Sequence, residues 1–143
     1  MQLSKVLSIF SLAAASSAVS VSYDVGYDDS SRSLTNVACS DGNNGLMTRY
    51  GWRTQGDIPR FPYIGGVYAV GGYNSPNCGS CWSVSYGGRT IHVLAIDSAS
   101  PGLNIGLRAM NDLTNNRAVE LGRVEANVQQ ANPSACGLRR ERW

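Results

Sequence analysis

Four cysteines constrain this chain more than any other feature, and they fall as one, a tight pair and one: Cys39, Cys78-Gly79-Ser80-Cys81 and Cys136. The 143-residue sequence that carries them opens like an exported protein. Lys5 gives a weak positive start, Val6 to Ala15 form a short apolar run, and Ser16-Ser17-Ala18 is a small-residue cleavage site. The run is too short for a bilayer, which needs about 20 residues. Residues 1–18 are therefore expected to be a signal peptide, with cleavage after Ala18 or Ser20. In an oxidising compartment the cysteines become structural disulfides. The residues alone leave the pairing open, since four cysteines allow several connectivities. Long-range pairings would close loops of tens of residues, each contributing about 4 kcal/mol in the chain-entropy picture.

Two other uses of the cysteines fit less well. A redox C-x-x-C motif opens a helix, whereas Cys78-Gly79-Ser80-Cys81 leads into the alternating segment Trp82 to Tyr86. A structural zinc site usually has two close pairs. Here there is one, and the single histidine, His92, lies inside an apolar run. No metal and no cofactor are expected.

Charge narrows the partners. The sequence holds 12 Lys+Arg and 10 Asp+Glu, a net +2. Lys5, the single lysine, leaves with the leader. The terminal Arg139-Arg140-Glu141-Arg142-Trp143 is itself cationic, so the domain before it is close to neutral. Nucleic acid, whose phosphates demand a basic surface, is not an expected partner. Many Gly, Ser, Asn and Tyr residues suit turn-rich β structure, and they suit neutral, hydroxyl-rich ligands.

The strand signals are frequent. Val19 to Tyr23 alternates with period two. Trp82 to Tyr86, the Gly87-Gly88 loop and Arg89 to Asp97 form a hairpin, whose second arm reads as a strand buried on both sides. Gly65-Gly66 precedes an apparent strand over Val67 to Val70. Short helices are predicted over residues 46–50, 106–114 and 117–121, and a last strand over Arg123 to Gln129. The fold class is mainly β with short helices, and closure into a barrel would remove exposed strand edges.

Several segments then resemble one family. They are Val19-Ser20-Val21-Ser22-Tyr23-Asp24, Cys39-Ser40-Asp41-Gly42, Ile58-Pro59, Ile64-Gly65-Gly66, Ile96-Asp97-Ser98 and Gly102-Leu103-Asn104. The most specific block is Ser75-Pro76-Asn77-Cys78-Gly79-Ser80-Cys81-Trp82. Together they resemble the cerato-platanins, also called snodprot-type proteins, from residue 19 to residue 137. The resemblance implies a six-stranded double-psi β-barrel with disulfides Cys39–Cys78 and Cys81–Cys136. It implies a small protein secreted by a filamentous fungus, in the medium or the cell wall. Such a protein binds chitin and N-acetylglucosamine oligomers, loosens cellulosic material without hydrolysis, elicits plant defence and self-assembles at interfaces. The chain departs from the family at Tyr73, where Trp is common, and at Asn74, where some members carry Asp. Residues 138–143 are an unusual ending and are expected to be a disordered tail.

The candidate carbohydrate-binding residues follow. Asp97 ends an apolar strand at a Ser/Gly/Pro loop and matches the family's groove aspartate. Ser98 adjoins it. Asn104 matches the groove asparagine, and its amide offers donors and an acceptor for an N-acetyl group. Asn74 and Asn77 are a second candidate wall, with turn formation as their alternative role. Tyr23 and Asp24 complete the set. No catalytic residue is assigned. Glycoside hydrolysis uses two carboxyl groups, and Asp24, Asp41, Asp57 and Glu125 lie in no motif that pairs one of them with Asp97. A weak hydrolase, or a surface-active protein recognised by immune systems independently of any groove, are the alternatives. Tyr68 and Trp82 read as core, and Arg49, Arg53 and Arg60 as a solvated face.

Overall fold

The computed structural model describes residues 18–139, and the leader up to residue 17 lies outside them. Six strands close a barrel in the order β1-β5-β2-β4-β3-β6. They are β1 (Ala18–Tyr23), β2 (Ile64–Val67), β3 (Cys81–Tyr86), β4 (Arg89–Ser98), β5 (Leu103–Ile105) and β6 (Arg123–Ala131). β1 runs parallel to β5, and β2 parallel to β4, while the remaining pairs are antiparallel. Three short helices lie outside: α1 (Leu46–Tyr50), α2 (Leu107–Thr114) and α3 (Ala118–Leu121). This is the closed six-stranded barrel that the resemblance implied.

Alternation sorts the side chains. Along β6, Val124, Ala126 and Val128 are buried while Arg123, Glu125 and Asn127 are exposed. Val21, Ile64, Val93, Leu94, Leu103 and Ile105 are fully buried. On α2, Ala109, Met110, Leu113 and Thr114 make the buried face, a spacing of three to four that places them on one side of a helix. Disulfides join Cys39 to Cys78 and Cys81 to Cys136, with Cα atoms 5.5 and 5.8 Å apart.

The hairpin and the helical turns lie where the sequence predicted them, but the strand after Pro62 does not. β2 is Ile64–Val67, so Gly65 and Gly66 are inside the strand and Tyr68 to Val70 lie beyond it. The reason is close approach. A Cβ on Gly65 would sit 2.4 Å from the Asn104 carbonyl oxygen, and one on Gly66 2.5 Å from that of Ser98. Glycine there admits neighbouring backbone; it does not mark a turn. β5 carries only three residues and escapes any periodicity argument. Residues at each end of the described range pack onto the barrel. Ala18, assigned to the leader, pairs with Asn127. Leu138, assigned to the tail, is buried, and its N–H donates to the Pro133 carbonyl at 3.2 Å. Residues 140–143 lie outside the described ones.

Candidate functional site

The glycine-rich strand β2 sits between two strands that each carry a polar side chain. Gly66 pairs with Asp97 on β4 and with Asn104 on β5. Asn104 in turn pairs with Ser22 on β1. Residues in register point to the same face, so Ser22, Asn104, Gly66 and Asp97 form one row across four neighbouring strands. The flanking Val21, Leu103 and Ile105 face the core, which sends the row to the outside. Gly66 is buried, and the space a Cβ would take there is filled by the Ser98 carbonyl and the Ala99 Cβ, so the row has an amide on one side of a closed centre and an acid on the other.

Asp97 is held by three donors. The Tyr27 hydroxyl donates to its Oδ2 at 2.9 Å, and the N–H groups of Ala38 and Ser98 donate to its Oδ1 at 2.9 and 3.0 Å. A carboxylate has about four acceptor positions, so one remains for a ligand hydroxyl or amide N–H. Ser22 donates its hydroxyl to Asn104 Oδ1 at 3.0 Å. That bond engages the amide oxygen and leaves the NH2 as the group that can donate to a ligand.

Tyr27 is the residue that sequence reasoning missed. It lies in the 3-10 turn Val25–Asp28 directly after β1 and is 4% exposed. That turn is fastened at three points. Asp24 Oδ1 caps it by accepting from Gly26 N–H at 2.8 Å. The buried Gln55 amide donates to the carbonyls of Gly26 and Asp29 at 3.0 and 2.8 Å. Asp28 accepts from the N–H groups of Leu107 and Arg108 at 2.7 and 3.0 Å, tying the turn to the start of α2. Burial pushes the Tyr27 phenol well above its ordinary range, and the Asp97 charge and hydrogen bond push it the same way. The Arg32 guanidinium, 5.4 Å from the ring centroid, opposes them. Tyr27 therefore stays a donor at any physiological pH. Nothing in the local sequence marks a Tyr–Asp pair 70 residues apart.

The other candidates divide. Ser98 is exposed beside Asp97, and Tyr23 follows Ser22 and pairs with Ile105. Asp24 is exposed and serves as a cap. Asn74 and Asn77 spend their amides on loop structure. Asn74, with a left-handed φ of 60°, accepts from Asn44 twice, the backbone N–H at Oδ1 and the side-chain amide at its carbonyl, and Asn77 donates to the Ala69 carbonyl at 2.8 Å. These are the bonds of the turn-forming alternative. Their loop still reaches the row indirectly. Cys78 is bonded to Cys39, whose N–H donates to the Ile96 carbonyl, and the adjacent Ala38 N–H donates to Asp97.

A mixed six-stranded barrel with two such bridges and a polar row on its outer face defines a class of small disulfide-bonded barrel proteins. Residues 19–138 match the family described as Cerato-platanin, and the chain belongs to that family. The heat-stable 19 kDa antigen of Coccidioides immitis is 46% identical over 123 residues, 86% of this chain and 84% of the relative. The crystal structure of cerato-platanin 1 from M. perniciosa superposes with a TM-score of 0.79 at 48% identity, covering 83% of this chain and 99% of that one. The solution structure described as the fungal elicitor cerato-platanin superposes at 0.74 with 39% identity, covering 82% and 96%.

Proposed function

We propose that this protein is a secreted fungal cell-wall protein and elicitor. It binds chitin-type N-acetylglucosamine oligomers along the row Ser22–Asn104–Gly66–Asp97, and it loosens polysaccharide without cleaving it. The observation that carries this reading is the row itself. Across the buried Gly66 it sets the Asn104 amide and a carboxylate with an open acceptor position on neighbouring strands. An N-acetyl group needs one donor and one acceptor, and sugar hydroxyls need acceptors; the row supplies each on a shallow surface that a polymer can cross. Cellulose, which has hydroxyls but no acetamido group, would use Asp97 alone and bind more weakly.

Two of the acids that could accompany Asp97 in hydrolysis are engaged elsewhere, and a third lies exposed on another strand. Asp41 accepts from the Tyr73 hydroxyl at 2.6 Å. Asp57 accepts from the N–H groups of Arg53 and Thr54, and Glu125 faces solvent on β6. This supports binding without bond cleavage. Elicitor behaviour follows from family membership and from the relative described as an elicitor.

Calorimetry and amide NMR with chitin tetramer test the reading. We expect saturable heat, with shifts at Asn104, Ser98 and Ala38. Asp97→Asn, which keeps an acceptor for Ala38 and Ser98, should weaken binding by about tenfold, the effect of losing one charged hydrogen bond. Absence of shifts along the row removes the assignment. Reducing ends released from soluble glucan would favour the hydrolase instead.

A further inference from the structure

A second, differently charged surface lies around α2. One hollow, of about 270 Å3, is bounded by Arg60, Tyr63, His92 and Asp112. Another, of about 360 Å3, is bounded by Arg89, Arg108, Asn115 and the same Asp112. Asp112 lines both, so the two hollows adjoin in one surface groove. The acid is already engaged: Tyr63 donates its hydroxyl to Oδ2 at 2.7 Å, and Arg89 Nη2 lies 3.6 Å from Oδ1. Arg60 and Arg108 have no ion-pair partner among the described residues. Three guanidiniums thus face one occupied carboxylate in a chain that is otherwise near neutral.

We propose that this groove binds a carboxylate-bearing polysaccharide, a polyuronide. Arginine presents a planar fork that matches a carboxylate in two parallel bonds. Arg60 borders one hollow and Arg89 and Arg108 the other, so cations border both. The same hollows are lined by Asn116, by the Asn111 amide, whose oxygen accepts from the Ala118 N–H, and by Thr90, whose hydroxyl pairs with Ser85, and these groups face sugar hydroxyls. A duplex phosphate backbone needs a denser run of cations, because its affinity comes from many phosphate contacts. A bilayer needs apolar side chains at the rim, and the exposed large hydrophobics Val25, Tyr68, Tyr73 and Val119 border neither hollow. The groove shares no lining residue with the Asp97 row.

The test is titration of the intact protein with a galacturonic acid tetramer, followed by amide NMR and calorimetry. We expect saturable shifts at Arg89, Thr90 and Asn115, and affinity that falls steeply with added salt. The double variant Arg60→Gln/Arg108→Gln should lose at least about tenfold in affinity. Both arginines are exposed, so its melting temperature should match the parent. Asp97→Asn should bind the tetramer normally, even where it has lost chitin tetramer. Equal binding of the methyl-esterified tetramer would overturn the proposal, because charge would then not be read. So would tighter binding to duplex DNA or anionic vesicles, or shifts confined to the Asp97 row.

Discussion

Two regions of this barrel are built on the same pair, a tyrosine hydroxyl donating to an aspartate, and they differ in everything around it. Tyr27–Asp97 is 2.9 Å long, with a buried ring and a carboxylate that also takes two backbone N–H groups. Tyr63–Asp112 is 2.7 Å long and half-exposed, and its aspartate also faces Arg89. Both phenols are pushed upward, for different leading reasons: burial at Tyr27, the hydrogen bond itself at Tyr63. The first pair is a fixed part of the scaffold that presents one acceptor. The second is a loose surface element that occupies an acid among guanidiniums. The proposed difference between a neutral and an anionic sugar thus rests on the surroundings and not on the pair.

The comparison breaks hardest at the disulfide beside the first pair. Cys39→Ser/Cys78→Ser opens a loop with a sequence separation of 39, and should cost about 4 kcal/mol in thermal or denaturant unfolding. It also frees the segment whose Ala38 N–H holds Asp97. Below its melting temperature, the variant should lose chitin-tetramer affinity more than galacturonate affinity. Equal loss at both surfaces would mean that the two grooves are not separately supported.

Tyr27→Phe comes next. It leaves the shape of the ring and removes one buried donor to a charged acceptor, a loss of about 2 kcal/mol. The phenol is raised in the folded state relative to its ordinary 10.0. The stability it contributes is therefore fully present below pH 10 and declines as pH rises beyond it. The parent should lose stability progressively above pH 10, and Tyr27→Phe should flatten that slope. A mutant whose alkaline unfolding profile matches the parent's would show that the pair is not a structural device.

Much of this was legible in the sequence, for reasons that particular residues show. Trp82 to Asp97 gave a hairpin because period-two alternation and a Gly-Gly loop are local signals. The family resemblance supplied the cysteine pairing, which spacing alone left open. Gly65 and Gly66 misled, because a glycine admitting a neighbouring strand looks the same in sequence as a glycine in a turn. Asp97 and Asn104 could be nominated, but their meeting across Gly66 depends on β5, a strand too short to announce itself. Tyr27 and Ser22 entered only with the tertiary structure. Arg60 reads as a solvated face until the fold sets it beside Arg89 and Arg108 around Asp112.

The smallest effect is expected at Tyr63, and it sharpens the contrast most. Tyr63→Phe deletes a hydrogen bond of the same chemistry as Tyr27→Phe deletes, and a shorter one. Asp112 is 43% exposed, so water replaces the lost donor, and Arg89 remains nearby. The cost should stay below about 1 kcal/mol, as for exposed charged pairs. Chitin-tetramer binding should not change. The Asp112 carboxylate, released from its phenol, would turn more fully to the guanidiniums and weaken galacturonate binding slightly. A Tyr63→Phe loss as large as that of Tyr27→Phe would show that hydrogen-bond length, and not burial, sets the worth of the two pairs.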